Sequence, residues 1–133
     1  MALNPHQRTR NDHSREMAED YVEMIASLIA SKGEARAVDL AERFGVSQAN
    51  VAKMVQRLRR EGLVTAEPYR SIFLTETGTH LASQSEERHA LVLAFLKAIG
   101  VSADVAESDA EGIEHHVSQQ TLEAMRQFVE GSL

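Results

Sequence analysis

The sequence predicts a mainly α-helical chain with a small β-hairpin wing, in which an N-terminal winged helix-turn-helix is followed by a helical C-terminal half. Three observations carry this. Apolar residues recur at three- and four-residue spacing through most of the 133 residues. A Gly45-Val46-Ser47 turn separates two of these helical stretches. The period then shifts to two short β-prone runs, Leu63-Val64-Thr65 and Ile72-Phe73-Leu74-Thr75, before the helical pattern returns.

Residues 1–13 lack periodicity and are expected to form a mobile tail, with Arg8 and Arg10 able to brush a phosphate backbone. A helix is expected from Ser14, because Met17, Tyr21, Met24, Ile25, Leu28 and Ile29 form one stripe, and Gly33 ends it. A second helix fits Ala37 to Phe44, with Leu40, Ala41 and Phe44 facing inward. Ser47 is placed to cap a third, from about Gln48 to Glu61, whose inward stripe is Val51, Val55 and Leu58 and whose stop is Gly62. The hairpin turns through Glu67-Pro68-Tyr69-Arg70-Ser71. After Thr77-Gly78 a long helix runs to Gly100 with Leu81, Val92, Leu96 and Ile99 in register and His89 inside the stripe. Two shorter helices follow, about Ala103 to His115 and about Gln119 to Glu130, the second capped by Ser118. The expected organisation is a tail (1–13), a winged helix-turn-helix (14–78) and a helical domain (79–133).

With 43% hydrophobic and 26% charged residues, only two Pro and seven Gly, the chain is neither low-complexity nor collagen-like. No apolar run is long enough for a membrane span, and the N-terminus has no secretory h-region, so a cytoplasmic protein with no membrane partner is expected. Cys is absent, which excludes disulfides, thiolate zinc, iron–sulfur clusters and a Cys nucleophile. Any metal must be held by oxygen and imidazole. The net charge of −6 is unevenly spread. Residues 101–133 carry seven acids against one base, whereas residues 43–70 carry six bases against two acids. A basic middle suits a polyanion and an acidic end suits cations.

Helix, Gly-containing turn, helix and hairpin is the order of a winged helix-turn-helix, whose second helix enters the DNA major groove. The start of that helix fits the task. Ser47, Gln48, Ala49, Asn50 and Lys53 offer amides for adenine edges, a methyl for thymine and donors for guanine or phosphate. Arg57, Arg59 and Arg60 would neutralise phosphates, and Arg70 at the hairpin tip would follow a minor groove or backbone. The plainer reading of a basic helix is a solvated face; the turn, cap, basic helix and wing together favour double-stranded DNA.

The acidic residues are patterned too. Asp20 and Glu23 lie three apart on the first helix, and Glu111, Glu114 and His115 at i, i+3 and i+4 on a later one. With His89, they would make four carboxylates and two imidazoles, a hard donor set suited to six-coordinate Mn²⁺ or Fe²⁺ rather than to tetrahedral zinc. Four negative charges would balance two divalent ions. Taken singly, each pair is more simply solvent decoration, and a His in an apolar stripe more simply a core residue.

Glu19-Asp20-Tyr21-Val22-Glu23, the run from Val46-Ser47 through Val51-Ala52-Lys53-Met54-Val55-Gln56-Arg57-Leu58, the Arg88-His89 pair, and Asp109 through Glu111-Gly112-Ile113-Glu114-His115-His116-Val117-Ser118 resemble the diphtheria toxin repressor family of metal-activated repressors, in its manganese-type subgroup. The resemblance extends from about Met17 to the last helix. It implies a homodimer with winged-helix heads and a helical dimerisation domain, acting on a palindromic operator. It also implies Asp20, Glu23, His89, Glu111, Glu114 and His115 as metal ligands, two Mn²⁺ per subunit, and Glu23 and Glu114 as bridges. The iron-responsive branch is expected to carry Met and Cys where this chain has Asp20 and Glu111, and to add an SH3-like C-terminal domain that this chain lacks the length for. Carboxylates at those positions favour Mn²⁺, which gains least from sulfur ligation.

The expected function is therefore binding rather than catalysis, as a manganese-activated repressor of manganese uptake genes whose metal acts as co-repressor by restricting the spacing of the two heads. Competing readings are a winged-helix regulator responding to iron or to an organic ligand, and a di-metal carboxylate enzyme. The last draws on Glu86-Glu87-Arg88-His89, which contains a single Glu-x-x-His where a ferritin-like site needs two. No organic small-molecule substrate is expected. His6 and His13 in the tail are expected to have no metal role.

Overall fold

The computed structural model describes residues 4–67 and 70–131, apart from the side chains of residues 8, 9, 11 and 12. The hairpin-tip residues Pro68 and Tyr69 and the side chain of Arg8 thus lie outside the described residues. The elements are α1 (Pro5–Lys32), α2 (Ala37–Phe44), α3 (Gln48–Arg60), β1 (Val64–Thr65), β2 (Phe73–Leu74), α4 (Glu76–Ala98), α5 (Ala103–Ile113) and α6 (Gln119–Gly131). They form two compact units, one of residues 17–83 and one of residues 84–133 together with 1–16. The division falls inside α4 and, near the N-terminus, inside α1.

The helix expected from Ser14 begins instead at Pro5, so residues 5–13 are helical rather than an irregular tail. The cause is a reciprocal cap. Asn4 Oδ1 accepts from the Gln7 amide at 2.8 Å while the Asn4 amide donates to Gln7 Oε1 at 3.3 Å. Pro5 occupies the first helical position, where its missing N–H leaves nothing unsatisfied. Asn-Pro-x-Gln was a readable start signal that carried no apolar stripe behind it.

In the unit of residues 17–83, α1 contributes Tyr21, Val22, Ile25 and Leu28 to a core completed by Leu40, Val51, Leu58, Leu63, Val64 and Ile72. Tyr21 stacks on Phe44 with ring centroids 4.6 Å apart. Ser47 caps α3 as its sequence suggests, its hydroxyl accepting from the Asn50 amide at 3.0 Å. At the other end Gly62 adopts φ +76° and lets the Leu63 amide return to the Leu58 carbonyl at 2.9 Å, so the chain leaves the helix directly into β1. The wing is antiparallel, with Val64 opposite Leu74 and Thr65 opposite Phe73. Its return strand is also held to the segment before α2, where the Ile72 amide donates to the Ala35 carbonyl at 2.7 Å.

Gly78 is not in a turn, as expected, but inside the first turn of α4. Thr75 caps that helix, its hydroxyl accepting from the Gly78 amide at 3.0 Å and donating to the Gly62 carbonyl at 2.6 Å. A Cβ on Gly78 would lie 2.0 Å from the Leu63 carbonyl oxygen, so glycine is required by the close approach of two backbones.

The second unit has its own core, in which Val92 and Leu96 of α4 pack with Ala106 and Ala110 of α5 and Leu122 of α6. Phe95 and Phe128 meet edge to face at 5.5 Å. The helix expected to reach His115 ends at Ile113. Glu114 keeps helical dihedrals and its amide bonds to the Ala110 carbonyl, while His115 falls in the turn that follows. Ser118 caps α6, accepting from the Thr121 amide at 3.1 Å. Among the described residues no helix is long and apolar enough to cross a membrane.

Candidate metal centre and nucleic-acid interface

In the second unit, α4 and the C-terminal end of α5 bring His89, Glu111 and Glu114 together. One ligand atom from each lies within 4.8 Å of the others. His89 Nδ1 is 2.5 Å from Glu114 Oε2 and 3.7 Å from Glu111 Oε1. Glu114 is 1% exposed and Glu111 62%, so the cluster has a buried wall and an open side. The other ring nitrogen, Nε2, is 2.8 Å from Glu107 Oε1. Burial pushes the His89 imidazole down, but the hydrogen bond to Glu107 and the charges of Glu114 and Glu111 outweigh it, and its pKa stands above the usual imidazole value.

The donor set suits a hard divalent ion. Glu114 Oε1 is buried and accepts no hydrogen bond among the described residues, although it lies 3.2 Å from His115 Nε2. A buried carboxylate oxygen without a donor is costly unless a cation satisfies it. The available donors are oxygens and imidazole nitrogens, which matches Mn²⁺ or Fe²⁺.

His115 is 1% exposed, and its carbonyl accepts from Arg15 at 3.3 Å. A carboxylate oxygen of Glu16, on the part of α1 belonging to this unit, lies within 4.8 Å of a His115 ring nitrogen. Glu16 also meets His116 Nε2 at 3.0 Å. Asp20 and Glu23 are half-buried on the stretch of α1 that belongs to the unit of residues 17–83. Sequence reasoning missed Glu16 and Glu107; Glu16 could have been found from its spacing of four before Asp20, whereas Glu107 becomes visible only when α4 and α5 pack.

On the winged unit, α2, α3 and the wing border a groove of about 690 Å³. Gln48, Ala49, Ala52, Gln56 and Arg59 line it from α3, with Arg36 and Arg70 at its rims. The sequence-selected residues therefore divide between two exposed faces. Gln48, Ala49, Arg59 and Arg70 border the groove, and Asn50, Lys53 and Arg60 lie exposed outside its lining. Arg57 is tied to Glu61 along the helix at 2.9 Å. Ser47 spends its hydroxyl on the cap. Arg70 pairs with Glu67 at 3.2 Å in full solvent. Arg36 and Gln56 are groove residues that the sequence alone did not single out. Arg36 was obscure because it precedes α2, and the wing brings it near α3 only through the Ala35 to Ile72 pairing.

Comparison with known proteins gives two family matches: "iron dependent repressor, N-terminal DNA binding domain" over residues 14–72 and "iron dependent repressor, metal binding and dimerisation domain" over residues 75–131. The transcriptional regulator MntR of Escherichia coli O6:H1 (strain CFT073) is 52% identical over 123 residues, covering 92% of this chain and 79% of that protein. The HTH-type transcriptional regulator MntR of Listeria welshimeri is 42% identical over 112 residues, covering 84% of this chain and 79% of that protein. Among solved structures, the manganese regulator SloR matches with a TM-score of 0.73 at 32% identity, covering 85% of this chain and 53% of that one. A manganese-dependent transcriptional repressor in complex with manganese matches with a TM-score of 0.75 at 29% identity. The chain spans about half the length of these solved relatives.

Proposed function

The chain belongs to the iron-dependent repressor family, that of the diphtheria toxin repressor, and from this premise we propose that it is a manganese-responsive, DNA-binding repressor. The observation that carries the manganese reading is the pairing of His89 with the buried carboxylate of Glu114 beside Glu111, a sulfur-free donor set with an unsatisfied oxygen. Asp20, Glu23, His89, Glu111, Glu114 and His115 are the proposed ligands, for two ions per subunit. Mn²⁺ supplies, when bound, the positive charge that lets the clustered carboxylates stay ionised together. Glu111 at the open side, where the iron-type branch is expected to place sulfur, favours manganese over iron.

The protein would act as a homodimer on a palindromic operator in the cytoplasm, its targets including genes of manganese uptake. Gln48, Ala49 and Arg59 on the groove side, with Asn50, Lys53, Arg57 and Arg60 beside them and Arg70 and Ser47 at the edges, form the proposed DNA surface. By sequence Asp20 and Glu23 fall with the DNA-binding residues and the other ligands with the helical unit. Ligation drawn from both sets would couple metal occupancy to head spacing, and about 1 to 3 kcal/mol of coupling is enough for a usable switch.

Mn²⁺ binding can be followed from the electron paramagnetic resonance signal of free Mn²⁺. The native chain should deplete that signal, and Glu114→Ala should lose more affinity than the ~10–100-fold typical of losing a partner that only supports a ligand. Equal binding by the two proteins would remove Glu114, and with it the proposed centre.

A further inference from the structure

Both ring nitrogens of His89 are engaged, and by carboxylates on one helix. Nδ1 faces the cluster, toward Glu114 and Glu111, while Nε2 is 2.8 Å from Glu107 Oε1. Glu107 and Glu111 are four residues apart on α5, so successive helical turns present a carboxylate to each side of the same ring. An imidazole that ligates through one nitrogen carries its proton on the other. A carboxylate accepting that proton fixes the tautomer and the ring orientation and strengthens the ligand.

Resting on the metal reading above, we propose that Glu107 is a positioning residue, which accepts the Nε2–H of His89 so that Nδ1 is the nitrogen offered to manganese. Glu107 does not itself ligate in this arrangement, since its carboxylate meets the nitrogen that is turned from the cluster. As a surface ion pair with a side chain 56% exposed it would contribute little to stability. As a hydrogen-bond acceptor at one defined nitrogen it selects which atom His89 presents. The sequence pattern Glu107-x-x-x-Glu111 gave no sign of this, because the partner comes from α4.

The test uses the full chain as native protein, Glu107→Ala and Glu107→Gln, with folding checked by circular dichroism. Mn²⁺ affinity is measured by paramagnetic resonance, and the His89 tautomer by long-range ¹H–¹⁵N correlation on histidine-labelled protein loaded with Zn²⁺ as a diamagnetic probe. Glu107→Ala should bind Mn²⁺ about tenfold more weakly, and Glu107→Gln should recover most of that loss because its Oε1 accepts the same hydrogen bond. Native His89 should show Nε2 protonated and Nδ1 metal-bound, and Glu107→Ala should show a mixture. An Ala variant within about twofold of native, a Gln variant as weak as Ala, or a native His89 ligating through Nε2 would overturn the proposal while leaving the metal centre intact. A native chain that binds no Mn²⁺ would overturn the metal reading and this proposal with it.

Discussion

For His89 to ligate through Nδ1 it must release a proton that the surrounding carboxylates hold. Its pKa is raised, because hydrogen bonding and the charges of Glu107, Glu114 and Glu111 outweigh the burial that opposes them. The sign follows. In the metal-free chain the charged imidazole favours the fold below the ordinary imidazole value of about 6.5, and that contribution is lost as pH rises through the raised value. Metal binding runs the other way and weakens as pH falls through that same raised value. Thermal unfolding of the metal-free chain should thus show this contribution below the ordinary imidazole value and lose it as pH rises through the raised one, while Mn²⁺ affinity rises over the same interval. An affinity that is flat over that range, with the fold intact, would contradict imidazole ligation. At this scale the sequence was informative where spacing alone sets the geometry. Glu111-Gly-Ile-Glu114 sets two carboxylates one turn apart, whereas His115 falls in the turn after the helix, and His89 stood out as a polar residue in an apolar stripe. Glu107 and Glu16 did not, since what they touch depends on packing between helices far apart in sequence.

Elements were legible wherever a cap or stop coincided with a change in period. α3 and α6 start where Ser47 and Ser118 precede them, and the wing follows Gly62 as expected. The two misplaced helix starts share a cause. Asn4-Pro5 and Thr75 begin helices ahead of their apolar stripes, so reading the stripe alone set α1 and α4 too late. Gly78, taken for a turn, is instead the contact point of two backbones. Gly78→Ala should destabilise the winged unit by about 1–3 kcal/mol through that clash, lowering the unfolding temperature without removing any ligand or DNA-facing side chain. An unchanged transition would mean that α4 and the Leu63 segment can move apart freely. On α3, reading and anchoring divide along the helix, with Gln48 at its start and Arg59 at its end. Gln48→Ala should cost about 1–3 kcal/mol on a specific operator and little on random DNA, whereas Arg59→Ala should weaken both and reduce the salt dependence. Comparing both variants on both DNAs by fluorescence anisotropy checks this, and an operator preference that survives Gln48→Ala would shift recognition to the Asn50 and Lys53 face.

For the molecule as a whole, charge distribution was the most telling property of the sequence. Basic residues gather on α3, in the unit of residues 17–83, and acids gather on α5, in the other unit. Nothing in composition or periodicity could reveal how metal occupancy would act on DNA affinity, because that coupling is a property of both units together. The direct measurement is operator binding by the full-length chain as Mn²⁺ is titrated, with a chelator arm and with the operator selected by the protein from random DNA in the presence of Mn²⁺. Affinity should rise at least tenfold between chelator and saturating Mn²⁺, a coupling of about 1.4 kcal/mol, and fall back when the metal is removed. Equal operator affinity in Mn²⁺ and in chelator, from a protein that demonstrably binds the ion, would contradict a manganese-responsive repressor.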